Sequence, residues 1–167
     1  SSMQLESAER GFSFRLDGPL DMRMGGSELT AGDIVNGYSE GELVRIFKDY
    51  GEERRSRRIA REIVERRRET PLESTGELRE LVASVTGPRR TPQARRIDPA
   101  TRVFQALRIE VNEELAGLEK LLDRTVEMLE QDGRLVVISY HSLEDRIVKH
   151  TLRGLARGEV DETTGRT

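Results

Sequence analysis

Two aspartates, Asp17 and Asp21, flank the pair Gly18-Pro19 inside SAERGFSFRLDGPLDMRMGG, residues 7 to 26. Carboxylates can orient an N–H or O–H bond and take up a proton, the two services that general base chemistry asks of a side chain. The same residues are also ordinary turn formers and helix caps, so composition leaves both roles open. Glycines at 11, 18, 25 and 26, with Pro19, punctuate the run too often for a helix or strand, which predicts an ordered loop. Ordered loops are where sites tend to be built. Phe12 and Phe14 in the same loop are expected chiefly to anchor it in a core.

A second candidate lies far along the chain. RLVVISY, residues 134 to 140, is a continuous β-rich run that reads as a strand, and Ser139, Tyr140, His141 and Ser142 fall at its carboxyl end. Ligands bind at that edge in open α/β sheets, so His141 is a candidate to hold a substrate group, while Ser142 is accounted for as an N-cap.

Arginines supply the third feature. From Glu52 to Arg68 eight arginines stand against four glutamates, and from Arg89 to Arg108 six stand against Asp98 alone. A chain of formal net charge −3 thus carries a basic middle, as expected if one face meets a polyanion. Guanidinium groups bind phosphate oxygens in bidentate fashion. Arg89, Arg90, Arg95 and Arg96 lie beside prolines without matching acids and are the foremost candidates for contact with a phosphate backbone. Glu62 with Arg66 reads better as an ordinary helical pair.

Composition removes other classes of chemistry. No cysteine is present, so disulfides and thiolate metal sites are excluded, and with only His141 and His150 no metal site is expected. No run approaches the roughly 18 apolar residues of a membrane span, and the first residues lack a signal pattern, which predicts a cytoplasmic protein without membrane contact.

The elements that must position these residues are mostly helical. Thr30 with Asp33, Ser39 with Glu42, and Ser74 with Glu77 are capping pairs ahead of three helices, and EERRSRRIAREIVERRR reads as a fourth. Asp98 as N-cap and Pro99 open a single long helix to about Gln131, with apolar residues every three or four positions from Val103 to Leu129. Ser142 with Asp145 caps a last helix. A strand apolar on both faces belongs in a covered parallel sheet, yet 134–140 is the one convincing strand, so its partners are expected outside this sequence.

SSMQLESAERGFSFRLDGPLDMRM, YGEERRSRRIAREIV, RIDPATRVFQALRIEVNEEL and GRLVVISYHSLEDRIVK, in this order, closely resemble the bacterial 16S ribosomal RNA cytosine-N4 methyltransferase family, also known as MraW. The resemblance implies an α/β fold: a Rossmann-like class I methyltransferase, here partial, with an inserted all-helical domain. It implies S-adenosylmethionine as cofactor, 16S ribosomal RNA of the small subunit as partner, and a cytidine of the decoding region as target. Residues 1–27 would belong to the methyltransferase domain, 28–105 to the helical RNA-recognition insert, and 106–167 again to the methyltransferase domain. Gln4, in the SSMQ motif, would contact the cofactor. Asp17, Asp21 and His141 become the candidate reaction-site residues, and Phe14 gains a second reading, stacking on a flipped base. A homodimer is left open.

The departures are equally informative. The family's opening strand, glycine-rich cofactor loop and ribose-binding acid would precede Ser1, and Asp98 stands where the family often has histidine before PATR. The sequence therefore looks like an internal fragment, expected to be inactive alone. The alternative reading is a non-catalytic RNA-binding module.

Overall fold

The computed structural model describes residues 11–12, 17–25, 27–87 and 98–157. Its seven described helices are α1 (Ala31–Gly37), α2 (Glu40–Asp49), α3 (Ser56–Arg67), α4 (Thr75–Thr86), α5 (Thr101–Asn112), α6 (Glu114–Glu127) and α7 (Ser142–Arg157). They fall into two compact units, Ser1–Asn112 and Glu113–Thr167. No described helix is long and apolar enough to cross a membrane.

Three helices of the first unit start where the capping pairs place them. Thr30, Ser39 and Ser74 each accept the backbone N–H of the residue three along, and Asp33, Glu42 and Glu77 reach back to the cap's own N–H. Each box satisfies two of the donors that a helix start leaves orphaned. Within the unit α2 packs on α3 and α5, α3 on α4, and α1 on α3 and α5. Ile34, Leu43, Ile46, Phe47, Ile59, Ile63, Leu78, Val82 and Leu107 are fully buried there.

The caps tie this unit's stability to pH. Hydrogen bonds from the Thr30 side chain and backbone hold the Asp33 carboxyl below its ordinary value of 3.8, and those from Ser39 hold Glu42 below 4.5. Groups depressed in the folded state contribute stability that is complete above the unfolded values and lost as pH falls through the folded ones. The melting temperature should therefore drop as pH falls below 4.5 and then 3.8. Thermal melts of an Asp33→Asn/Glu42→Gln variant should show a lower melting temperature at neutral pH and a shallower acid fall.

One expectation is corrected. The long helix from Asp98 is two helices: the entry is capped as expected, with Asp98 Oδ1 accepting the Ala100 N–H at 2.9 Å, but Glu113 adopts φ +48°. A left-handed residue breaks the i→i−4 ladder, even though the apolar spacing runs on past it. In α5 that spacing buries Val103, Phe104, Leu107 and Val111; in α6 only Leu122 is buried.

RLVVISY forms no strand. The pairing detected among the described residues is an isolated bridge between Pro19 and Ser74. The physical reason is the one that made a lone strand suspect: a ladder needs a partner backbone. Along 134–140 exposed and half-buried residues alternate, with Val136, Ile138 and Tyr140 at 83, 77 and 90% exposure. The second unit is otherwise α6 packed on α7.

Candidate functional site

The Asp17–Met24 loop is clamped from several sides. Thr75 donates its N–H to Gly18 O at 2.8 Å and Leu20 donates to Glu73 O at 3.2 Å, tying the loop to the start of α4. Ala31 and Gly32 donate to Asp21 O and Leu20 O, tying it to the start of α1. Leu20 and Met22 are buried as anchors, and Phe12 packs against the same core, the anchoring role expected of it. Gly11 has φ +66°, and a Cβ there would collide with the Pro19 carbonyl, so close chain approach explains that glycine.

The two aspartates have different surroundings. Asp17 Oδ1 accepts the Gly76 N–H at 2.8 Å, in the first turn of α4. That bond first, then the Ser74 side chain, lowers its pKa below the ordinary carboxylate value. An exposed carboxylate over a helix N-terminus is the capping role that aspartates commonly fill. Asp21 is gripped by Arg23 in a bidentate pair, Nε to Oδ1 at 2.8 Å and Nη2 to Oδ2 at 2.7 Å, with the Arg23 N–H also donating to Oδ1. Such a fork fixes the plane of the carboxylate.

Asp21, but not Asp17, lines an open groove of about 780 Å³ whose wall also includes Thr30, Asp33, Asn36, Leu72 and Glu73. Three acidic residues, Asp21, Asp33 and Glu73, lie along this groove, the Asp33 carboxylate being taken up by the Thr30 cap. Asn36 holds its far wall by pairing both sides of its amide with the Leu72 backbone, each at 2.9 Å.

Sequence reasoning missed Asn112. From the last turn of α5 its Nδ2 donates to Met22 O at 2.8 Å and its Oδ1 accepts the Met24 N–H at 2.7 Å. Between them Met22 holds φ +62°, a conformation that needs such support in a non-glycine residue. An asparagine ending a helix has no distinguishing signal, because its partners lie about ninety residues away. Asn112→Ala should remove the two hydrogen bonds to the loop, each of about 0.5–1.5 kcal/mol, along with the Nδ2 bond to Arg108 O within α5. Amide exchange at Met24 should quicken, with α2 core amides keeping their relative protection.

In the second unit His141 stands just before α7. Its Nδ1 accepts the Glu144 N–H at 3.3 Å, and the Glu144 carboxylate accepts the Tyr140 N–H at 2.8 Å. Asp145, the expected capping partner of Ser142, pairs with Lys149 at 2.7 Å. An Nδ1 that accepts leaves the proton of the neutral ring on Nε2. That nitrogen lies 3.4 Å from Glu144 Oε1, near enough for attraction, yet it is buried without a hydrogen-bond partner among the described residues. Glu114, His141 and Glu144 bring ligand-type atoms within 4.8 Å of one another, a grouping that the count of histidines did not foretell. Gln4, Phe14, Arg89, Arg90, Arg95 and Arg96 lie outside the described residues.

Residues 1–163, which include the clamped loop and the His141 turn, match the model of the MraW methylase family. The chain belongs to that family. It is similar to proteins named ribosomal RNA small subunit methyltransferase H: 56% identical to that of Acidiphilium cryptum over 96% of the chain and 50% of the relative. The Parvibaculum lavamentivorans protein is 57% identical over 91% of the chain and 44% of the relative, and that of Tropheryma whipplei 51% over 93% and 48%. The chain spans about half the length of these curated relatives. In this MraW family member DGPLDMRM is therefore a loop pinned to two helix starts and to Asn112, with one aspartate capping α4 and the other facing a groove.

Proposed function

We propose that the protein to which this chain belongs transfers a methyl group from S-adenosylmethionine to the exocyclic N4 amine of a cytidine in 16S ribosomal RNA, in the cytoplasm. The observation that carries the reading is the Asp21 carboxylate, oriented by Arg23 on the wall of an acidic groove, within a motif of a methylase family.

A cytosine amine is a poor nucleophile because its lone pair is conjugated into the ring. It must be aligned with the methyl donor, and an acceptor must orient its N–H bonds and relieve it of a proton. When bound, S-adenosylmethionine supplies the electrophilic methyl. The described residues form no cradle for that cofactor; its contact is assigned to Gln4, in the motif the family resemblance singles out. What the described residues supply is the acceptor side. Asp21 accepts an amine N–H and takes the proton released as the new N–C bond forms. His141 orients the base or a phosphate. Arg89, Arg90, Arg95 and Arg96 hold the RNA backbone, and Phe14 stacks on the base. Residues 134–140 complete a Rossmann-like sheet by pairing with strands from the rest of the protein, which would cover Val136, Ile138 and Tyr140.

The second reading, an RNA-binding module without catalysis, draws support from Asp17, whose bonds to α4 account for it without any reaction. Radiolabelled methyl transfer to small-subunit RNA by the protein extended to its relatives' length separates the two. Incorporation fits the first reading only, whereas salt-sensitive RNA binding without incorporation fits the second.

A further inference from the structure

Helix α3 sorts its arginines by direction. Arg55, in the turn before it, donates to the Thr86 carbonyl, and Arg67 donates to Val35 O at 2.7 Å and Tyr38 O at 2.6 Å. These guanidinium groups satisfy carbonyls at the ends of α4 and α1 and are spent on the fold. Arg66 likewise turns to Thr70 O at 3.2 Å. Arg54, Arg57 and Arg58 are exposed and have no partner among the described residues. Arg61 is exposed too and meets Glu65 at 2.9 Å, a solvent-facing i,i+4 pair of the weak kind.

The free groups share one face. Ser56, Ile59, Ala60 and Ile63 form the buried side of α3, and at 3.6 residues per turn Arg57, Arg58 and Arg61 fall opposite them. Arg54, exposed in the turn just ahead of the helix, adds a further guanidinium near its start. Acids enter only toward the far half of the helix, at Glu62 and Glu65; Glu52 precedes the stripe and Glu53 is buried against the Arg55 N–H. Successive turns carry the arginines about 6 Å apart along the axis, comparable with the step between phosphates of a nucleic-acid strand.

We infer that the outward face of the first half of α3 is a docking surface for an RNA phosphate backbone, separate from the arginines of 89 to 96. The inference rests on the rRNA methyltransferase reading for its choice of RNA. Planar, forked guanidiniums on a rigid helix can each bind two oxygens of a phosphate, and neutralising a phosphate releases condensed counterions, so the contact is sequence-independent and salt-sensitive.

The test is binding of a fluorescein-labelled RNA stem-loop by anisotropy over a salt series, with the chain extended to its relatives' length. Arg57→Gln/Arg58→Gln should raise Kd several-fold and flatten the log–log salt slope by about 1.5, at about 0.7–0.9 per lost phosphate contact. Glu65→Gln, which frees Arg61 and removes a negative charge from the stripe's end, should tighten binding, a gain that misfolding cannot produce. Unchanged affinity and slope in both variants would overturn the inference, as would phosphatidylserine vesicles, rather than RNA, following the same two variants. Methyl transfer is read separately. Stripe-dependent binding without transfer sinks the enzymatic reading alone, and transfer with an indifferent stripe sinks the docking surface alone.

Discussion

Asp21→Asn, in the protein extended to the length of its relatives, should lower the turnover of methyl transfer by about 10²–10⁴-fold, the usual worth of a positioned proton acceptor. Cofactor affinity should stay close to that of the wild type. The amide keeps the size of the side chain and one acceptor oxygen, but it cannot take the amine proton, and it turns a donor toward the groove or toward Arg23. Single-turnover rates and a separate cofactor titration read the two quantities. Equal loss in both would make Asp21 a structural group of the loop. Asp17→Asn supplies the contrast, because its carboxylate is engaged with the Gly76 N–H at the start of α4. Its removal should act mainly by loosening the loop from that helix.

Phe47→Ala should destabilise the first unit by about 3–5 kcal/mol, a large part of the roughly 5–15 kcal/mol that holds a typical domain folded. Phe47 is fully buried on α2, which packs against both α3 and α5. Deleting the ring removes buried apolar area and leaves a cavity that three rigid helices cannot close. Urea unfolding should show the midpoint falling sharply with the slope preserved. A change below about 1 kcal/mol would mean that the packing of this unit is not as described.

Local chemistry made much of this molecule readable in advance. The three capping pairs act over a few residues, so their partners are visible side by side in the sequence. The loop around Asp17 and Asp21 was legible for the same reason: its glycines and proline punctuate a short stretch. What escaped depends on distant partners. Asn112 meets a backbone about ninety residues away, and the left-handed turn at Glu113 leaves the apolar spacing of Val103 to Leu129 undisturbed. A strand, finally, is a property of two backbones, and hydrophobicity along 134–140 could announce only one of them. The arginines of α3 were visible as a charge excess, but only the packing of Ile59 and Ile63 divides those that cap helices from those that face outward.

The most direct measurement on the whole account is the identity of the methylated nucleoside. Small ribosomal subunits would be incubated with the extended protein and S-adenosylmethionine carrying a labelled methyl group, and the RNA digested to nucleosides and resolved by mass spectrometry. The account predicts label in N4-methylcytidine, strongly reduced with Asp21→Asn. Label in a ring-carbon or ribose-methylated nucleoside, or none with a folded protein, would contradict it.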